Sequence, residues 1–137
     1  MSVSNQHIDP PGLFSTKGLG FTHVVKSAPG STIYVSGQTA WDAQRKLVGG
    51  SDLALQTEQA LRNLRVALEA AGATPHDVVF LRVHVVDYRP AHAAVLGKAL
   101  EAFFAGGPTP ASTWTGVSAL AAPGFLVELE ATAVVAG

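Results

Sequence analysis

Residues Pro110 to Ala131 read Pro-Ala-Ser-Thr-Trp-Thr-Gly-Val-Ser-Ala-Leu-Ala-Ala-Pro-Gly-Phe-Leu-Val-Glu-Leu-Glu-Ala. The stretch carries two β-rich runs separated by a turn signal at Pro123-Gly124, so it predicts two strands joined by a turn. Strand alternation puts Ser112, Trp114 and Gly116 on one face of the first. Glu128 and Glu130 share the parity of the second.

Working towards the N-terminus, Pro90 predicts the start of a helix, at a position where its missing N–H costs nothing. Leu96, Leu100 and Phe103 give that helix a buried stripe, and Gly106-Gly107 ends it. Val78 to Val86 is an almost unbroken apolar run interrupted by Arg82 and His84, the pattern of a central strand. An earlier helix is capped by Ser51 or Asp52, has Leu61, Leu64 and Leu68 as its apolar stripe, and stops at Gly72. Gln56, Glu58, Arg62, Arg65 and Glu69 fall largely off that stripe and are expected to face water. Thr39 to Gly50 is polar and reads as a loop. Phe21 to Lys26 and Ser31 to Val35 flank the turn signal Ser27-Ala-Pro-Gly30 and predict a hairpin. Residues 1–12 are polar, contain proline, and predict a loose arm.

The predicted order is therefore ββαβαββ: an α+β fold of two layers, with two helices on one face of a mixed sheet. No repeat, low-complexity segment or internal boundary divides the chain, so residues 1–137 are read as one domain. The other sheet face has no helix to cover it, and its strands are apolar. Hydrophobic residues make up 47% of the 137-residue chain and charged residues only 14%. Both features predict an oligomer that hides this face.

Net charge is −1 and no basic run is present, which gives nucleic-acid binding no electrostatic support. With no cysteine, disulfides, thiolate metal sites and Cys nucleophiles are excluded. The five histidines have no ligand spacing on a common helix, so no metal is expected. No other feature implies a cofactor. No apolar run approaches the about 20 residues of a membrane helix, and the N-terminus has no signal-type apolar core. These features predict a cytoplasmic protein with no membrane partner. A phosphate-binding glycine loop, a nucleophile elbow and a credible Ser-His-Asp order are all missing.

The closing segment resembles the signature of the Rid (YjgF-like, reactive intermediate deaminase) family. Val117 and Leu120 keep the spacing of that signature, and Val127-Glu-Leu-Glu-Ala131 matches its Glu-bearing strand. Further matches follow in order. Tyr34-Val-Ser-Gly-Gln38 resembles a family strand end, and Gln56 to Leu64 with Leu68 to Gly72 resembles the first helix. Val83 to Asp87 resembles the central strand, and Glu101-Ala-Phe-Phe104 the end of the second helix. One position departs: where the signature has an arginine, this chain has Ser112.

The resemblance implies a chorismate-mutase-like fold and a homotrimer with small-molecule clefts at the subunit interfaces. In the family's deaminase branch that arginine clamps the carboxylate of a 2-imino acid, and a water held near a glutamate attacks the imine carbon. Arginine suits the clamp because its planar fork binds a carboxylate bidentately. Ser112 brings no charge and can donate one hydrogen bond. Charge-assisted bonds contribute roughly 1.5–3 kcal/mol each, so hydrolysis of the usual 2-imino acids is disfavoured unless another cation helps. Arg82 and His84 are the best candidates for that cation, although their plainer reading, an edge or interface pair satisfied by backbone or carboxylate, is the stronger one.

Glu128 corresponds to the family's water-positioning glutamate and is the expected catalytic residue, with Glu130 its competitor by parity. Ser112, Thr113, Trp114, Ser36, Gly37 and Phe21 are the expected substrate-binding residues. Each has a plainer alternative: a core or interface Trp114, a strand Ser112, an ordinary turn at Ser36-Gly37. A trimer hydrolysing a reactive imine or enamine and a non-catalytic trimer binding a small metabolite both remain open. Ribonuclease activity, attached to some family names, is the weakest reading for an acidic chain.

Overall fold

The recurrence of apolar residues and a few capping side chains determine where the elements lie. The computed structural model describes residues 4–137. The chain runs β1 (Gln6–Ile8), β2 (Val24–Lys26), β3 (Ser31–Gln38), α1 (Leu53–Ala70), β4 (Val78–Val86), α2 (His92–Phe104), β5 (Ala111–Val117) and β6 (Val127–Val135).

Asp52 caps α1 by accepting the Leu55 N–H at 3.0 Å. Leu61, Leu64 and Leu68 are buried along one side of the helix, as their spacing predicts. Gln56 does not face water: it is fully buried. Its Nε2 donates to the Gly50 and Gly124 carbonyls at 2.6 and 2.8 Å, and its Oε1 accepts the Leu126 N–H at 2.9 Å. One amide thus ties α1 to the loop before it and to the loop leading into β6. Helix α2 begins at His92, just beyond Pro90, and buries Leu96, Leu100, Phe103 and Phe104. Ala105 takes the left-handed position that ends it, one residue earlier than the glycine pair predicts.

The main sheet has the order β3-β6-β4-β5, with β4 and β5 parallel and the other neighbours antiparallel. It is a mixed sheet in an α+β fold, with α1 and α2 on one face. Strand β4 is internal, as its apolar run predicts. The flanking strands differ from expectation in their partners. β5 and β6 do not pair with each other: β4 lies between them, and the Pro123-Gly124 loop spans the gap. The expected hairpin between the second and third strands is also absent. β3 pairs with β6, while β2 pairs with β1 in a separate two-stranded ribbon. The stretch read as a loose arm therefore includes a strand, and its residues 1–3 lie outside the described residues.

Alternation along the strands separates the two sheet faces. Leu81, Val83, Val85, Val127, Leu129, Ala131 and Ala133 enter the core beneath the helices. Phe80, Arg82, His84, Glu128, Glu130 and Thr132 point the other way, towards a face no helix covers. That open face is more polar than the runs of apolar sequence suggest, because the polar residues of β4 and β6 gather there. Among the described residues no helix is long and apolar enough to cross a membrane.

Candidate functional site

The expected site residues fall on both sides of the sheet. Ser112 and Trp114 stand opposite Leu81 and Val83 in the β4–β5 register, which turns them to the helix side. Thr113 stands opposite Arg82 and is exposed on the open face. Glu128 stands opposite His84, also on the open face. Within one chain, Glu128 and Ser112 are thus separated by the thickness of the sheet.

On the helix side, Trp114 lines a cavity of about 470 Å³. Phe21 forms part of its wall, together with Leu19 and the α2 residues Gly97, Lys98 and Glu101. Phe21 is itself propped edge-on by Phe14 and His23, with ring centroids 6.3 and 6.0 Å away. His23 is held by the Phe14 carbonyl at 2.8 Å. A Cβ added at Gly97 would meet nothing within 4 Å. Close packing within the chain therefore does not account for a glycine in mid-helix here; the space beside it opens into the cavity.

Two polar atoms on this side of the sheet have no partner: Trp114 Nε1 and Ser112 Oγ are buried without a hydrogen bond, and of the two residues only Trp114 lines the cavity. Leaving such groups unpaired costs about 1–3 kcal/mol each. An indole N–H can only donate and a hydroxyl can do either; both atoms are closed to solvent in the single chain, so an acceptor reaches them only where the packing around them opens. Lys98 and Glu101 give it one charge of each sign, and no ion pair among the described residues joins them.

On the open face, Glu128 lies against the backbone of Gly37. A Cβ at Gly37 would stand 2.5 Å from Glu128 Oε1 and 2.6 Å from its carboxyl carbon, so the carboxylate can occupy this place only because residue 37 has no side chain. Ser36 is exposed beside it. Arg82 and His84 are both turned to Glu130 rather than to Ser112. His84 Nε2 lies 3.2 Å and Arg82 Nη1 3.9 Å from Glu130 Oε1. Glu130 is therefore engaged, whereas its neighbour Glu128 has no ion-pair partner among the described residues. No group of three or more metal-ligating side chains occurs among the described residues.

Sequence reasoning missed Lys98, Glu101 and Leu19 as cavity residues. The signal that could have found the first two is Gly97 itself: a helix glycine followed at i+1 and i+4 by a cation and an anion marks one polar, uncrowded side of α2.

A family model described as endoribonuclease L-PSP matches residues 17–135. Among solved structures, the chain is similar to YyfB of Yersinia pestis, described as a protein of unknown function of the conserved Rid family. The two share 43% identity with a TM-score of 0.94, covering 97% of this chain and 100% of that one. It is also similar to RidA of an Antarctic Psychrobacter, at 33% identity and a TM-score of 0.69 over 80% of this chain and 85% of that one. A third similar structure is Rv2704 of Mycobacterium tuberculosis, a member of the YjgF/YER057c/UK114 family, at 33% identity and a TM-score of 0.65, covering 96% of this chain and 100% of that one. The α+β arrangement is the chorismate-mutase-like fold of such neighbours.

Proposed function

Because the chain belongs to the endoribonuclease L-PSP family, that of the Rid and YjgF proteins, we propose that it is a small-molecule protein whose ligand cleft is completed between the subunits of a homotrimer, and that it hydrolyses a reactive imine or enamine there. A cytoplasmic setting, where such intermediates arise, suits this reading. The observation that carries it is the aromatic cavity lined by Phe21 and Trp114, with the buried, unpartnered Trp114 Nε1 and Ser112 Oγ on the same side of the sheet. Glu128 faces the opposite side of its own sheet, so the reading requires one copy's carboxylate to meet another copy's cavity.

In the proposed reaction, the Glu128 carboxylate takes a proton from water as the water oxygen adds to the imine carbon. That proton passes to the imine nitrogen, giving a carbinolamine; the nitrogen then takes a second proton, equivalent to the one the hydroxyl loses, as the C–N bond breaks, ammonia leaves and the carbon becomes a carbonyl. Ser36 and Gly37 flank the carboxylate, and Thr113 stands on the same open face. Ser112 in place of the family's arginine removes the fixed charge for a substrate carboxylate. In the cavity, Lys98 is offset by Glu101. Both features favour a ligand that is flat, apolar and less anionic than a 2-imino acid. A second reading, a trimer that binds such a metabolite without turning it over, is favoured by the same lack of a clamping charge.

The experiment compares two freshly generated imines under semicarbazide trapping. One is 2-iminopropanoate; the other is phenylmethanimine, formed from benzylamine by an amine oxidase. The expected result is faster hydrolysis of the aromatic imine, abolished by Glu128→Gln. Preference for 2-iminopropanoate would overturn the proposed ligand class and direct attention to Lys98, then to Arg82 and His84. No acceleration of either imine by assembled protein would leave the binding reading.

A further inference from the structure

Helices α1 and α2 pack side by side over the sheet, and the seam between them is not filled. α2 presents Ala99 and Ala102 to it, residues too small to close the gap to α1. The result is a groove of about 680 Å³ on the outer surface, within the range of small-molecule sites. Its base is apolar, formed by Leu61, Ala99 and Phe103.

The rim is cationic. Arg62, Arg65 and Lys98 line the groove, three of the nine Lys and Arg residues in a chain of net charge −1. Glu58 is the one acidic residue among the groove's lining. None of the three cations is in an ion pair among the described residues. Arg62 donates to Gln59 Oε1 along the helix. The Arg65 guanidinium lies over the Phe103 ring, 5.1 Å from its centroid, which holds it at the boundary between the apolar base and water. Arg62 and Arg65 are three residues apart on α1, so their side chains are neighbours. Two adjacent guanidinium groups present more donors than the one hydrogen bond to Gln59 uses, in the geometry that suits a carboxylate.

We infer that this groove binds an amphipathic carboxylate: the head group on Arg62 and Arg65, a linear hydrocarbon body along Leu61, Ala99 and Phe103. The assignment rests on charge complementarity between the cationic rim and a carboxylate, together with an apolar base and a volume of small-molecule size, and is independent of the Phe21–Trp114 cavity. Lys98 borders both spaces and is left unaltered in the test for that reason.

The probe is decanoate, kept below its micelle concentration and followed by amide chemical shifts in the isotope-labelled full chain. Acetate carries the head group alone, and decyltrimethylammonium carries the same body with the opposite charge. Decanoate is expected to give saturable shifts in residues 54–65 and 95–103, and the two controls none at the same concentration. Replacing both arginines, Arg62→Ala with Arg65→Ala, should weaken decanoate at least tenfold. Ala102→Leu, a change at an exposed position that narrows the channel, should weaken it as well. The lysine pair Arg62→Lys with Arg65→Lys should retain part of the affinity. Equal shifts with decyltrimethylammonium, shifts confined to the surroundings of Phe21 and Trp114, no saturable shift, or indifference to the arginine changes would each overturn the assignment.

Discussion

At the scale of single residues, the side chains that matter most here are polar ones in apolar settings. Gln56 is the clearest case. Its position off the Leu61-Leu64-Leu68 stripe reads as solvent-facing, yet the amide is fully buried and satisfies three backbone groups on two loops. Helical spacing could not show this, because the loops that cover Gln56 arrive from residues near Gly50 and Gly124. Replacing it with leucine would take their partner from two part-buried carbonyls and one part-buried N–H and leave the fully buried site without its polar network. Gln56→Leu is therefore expected to lower the unfolding free energy by about 2–4 kcal/mol, read from the urea midpoint. Gln56→Glu keeps the acceptor for Leu126 but sets a buried carboxylate against two carbonyls, and should be at least as damaging. A loss below about 0.5 kcal/mol for the leucine variant would mean that the loops rearrange freely, and that the amide does not anchor them.

At the scale of elements, the sequence is most legible where structure is local. Both helices, a cap at Ser51 or Asp52 and the internal position of β4 follow from spacing within a few residues. Strand partners do not, because pairing joins residues far apart in the chain. Ser27-Ala-Pro-Gly30 is a sound turn signal, but a turn does not by itself make a hairpin: β6 takes β3, and three residues near the N-terminus take β2. The same limit divides the site. Parity along β5 correctly puts Ser112 and Trp114 together, whereas only the register through β4 shows that Glu128 faces the other way.

Helix α2 offers a test at this scale. Gly97 costs its helix about 1 kcal/mol relative to alanine, and no neighbour in the chain forbids a Cβ. Gly97→Ala is thus expected to raise the melting temperature by roughly 3 °C. If the adjoining cavity holds the ligand, the added methyl takes part of its space. Binding of the aromatic ligand class should then weaken while stability rises. A variant that is destabilised instead would show that something outside the single chain already packs against residue 97.

At the scale of the whole molecule, one sheet face is left without a covering layer. Tyr34 is 81% exposed there, beside a recess shared with Phe80, Arg82 and Glu130. A two-layer α+β domain buries a sheet on one side only, and an open face with an exposed tyrosine and a half-buried phenylalanine is a reason for assembly. The polar residues on this face suit an interface too: Arg82, His84 and Glu130 form a group that can fix orientation between copies as well as within one. Trimer formation would also resolve the separation of Glu128 from the Phe21–Trp114 cavity, since the carboxylate needs only a neighbour's cavity, not its own. Sedimentation velocity is expected to give three times the 14.1 kDa chain mass. Tyr34→Glu sets a charge next to Glu130 at a site that contributes little to the single chain, so far-ultraviolet ellipticity should be unchanged while the assembly dissociates. Imine hydrolysis should be lost in step with dissociation, because the proposed cleft needs two copies. A wild-type protein that sediments as a single chain, or a dissociated variant that keeps its full activity, would remove the shared cleft and require Glu128 and Trp114 to act apart.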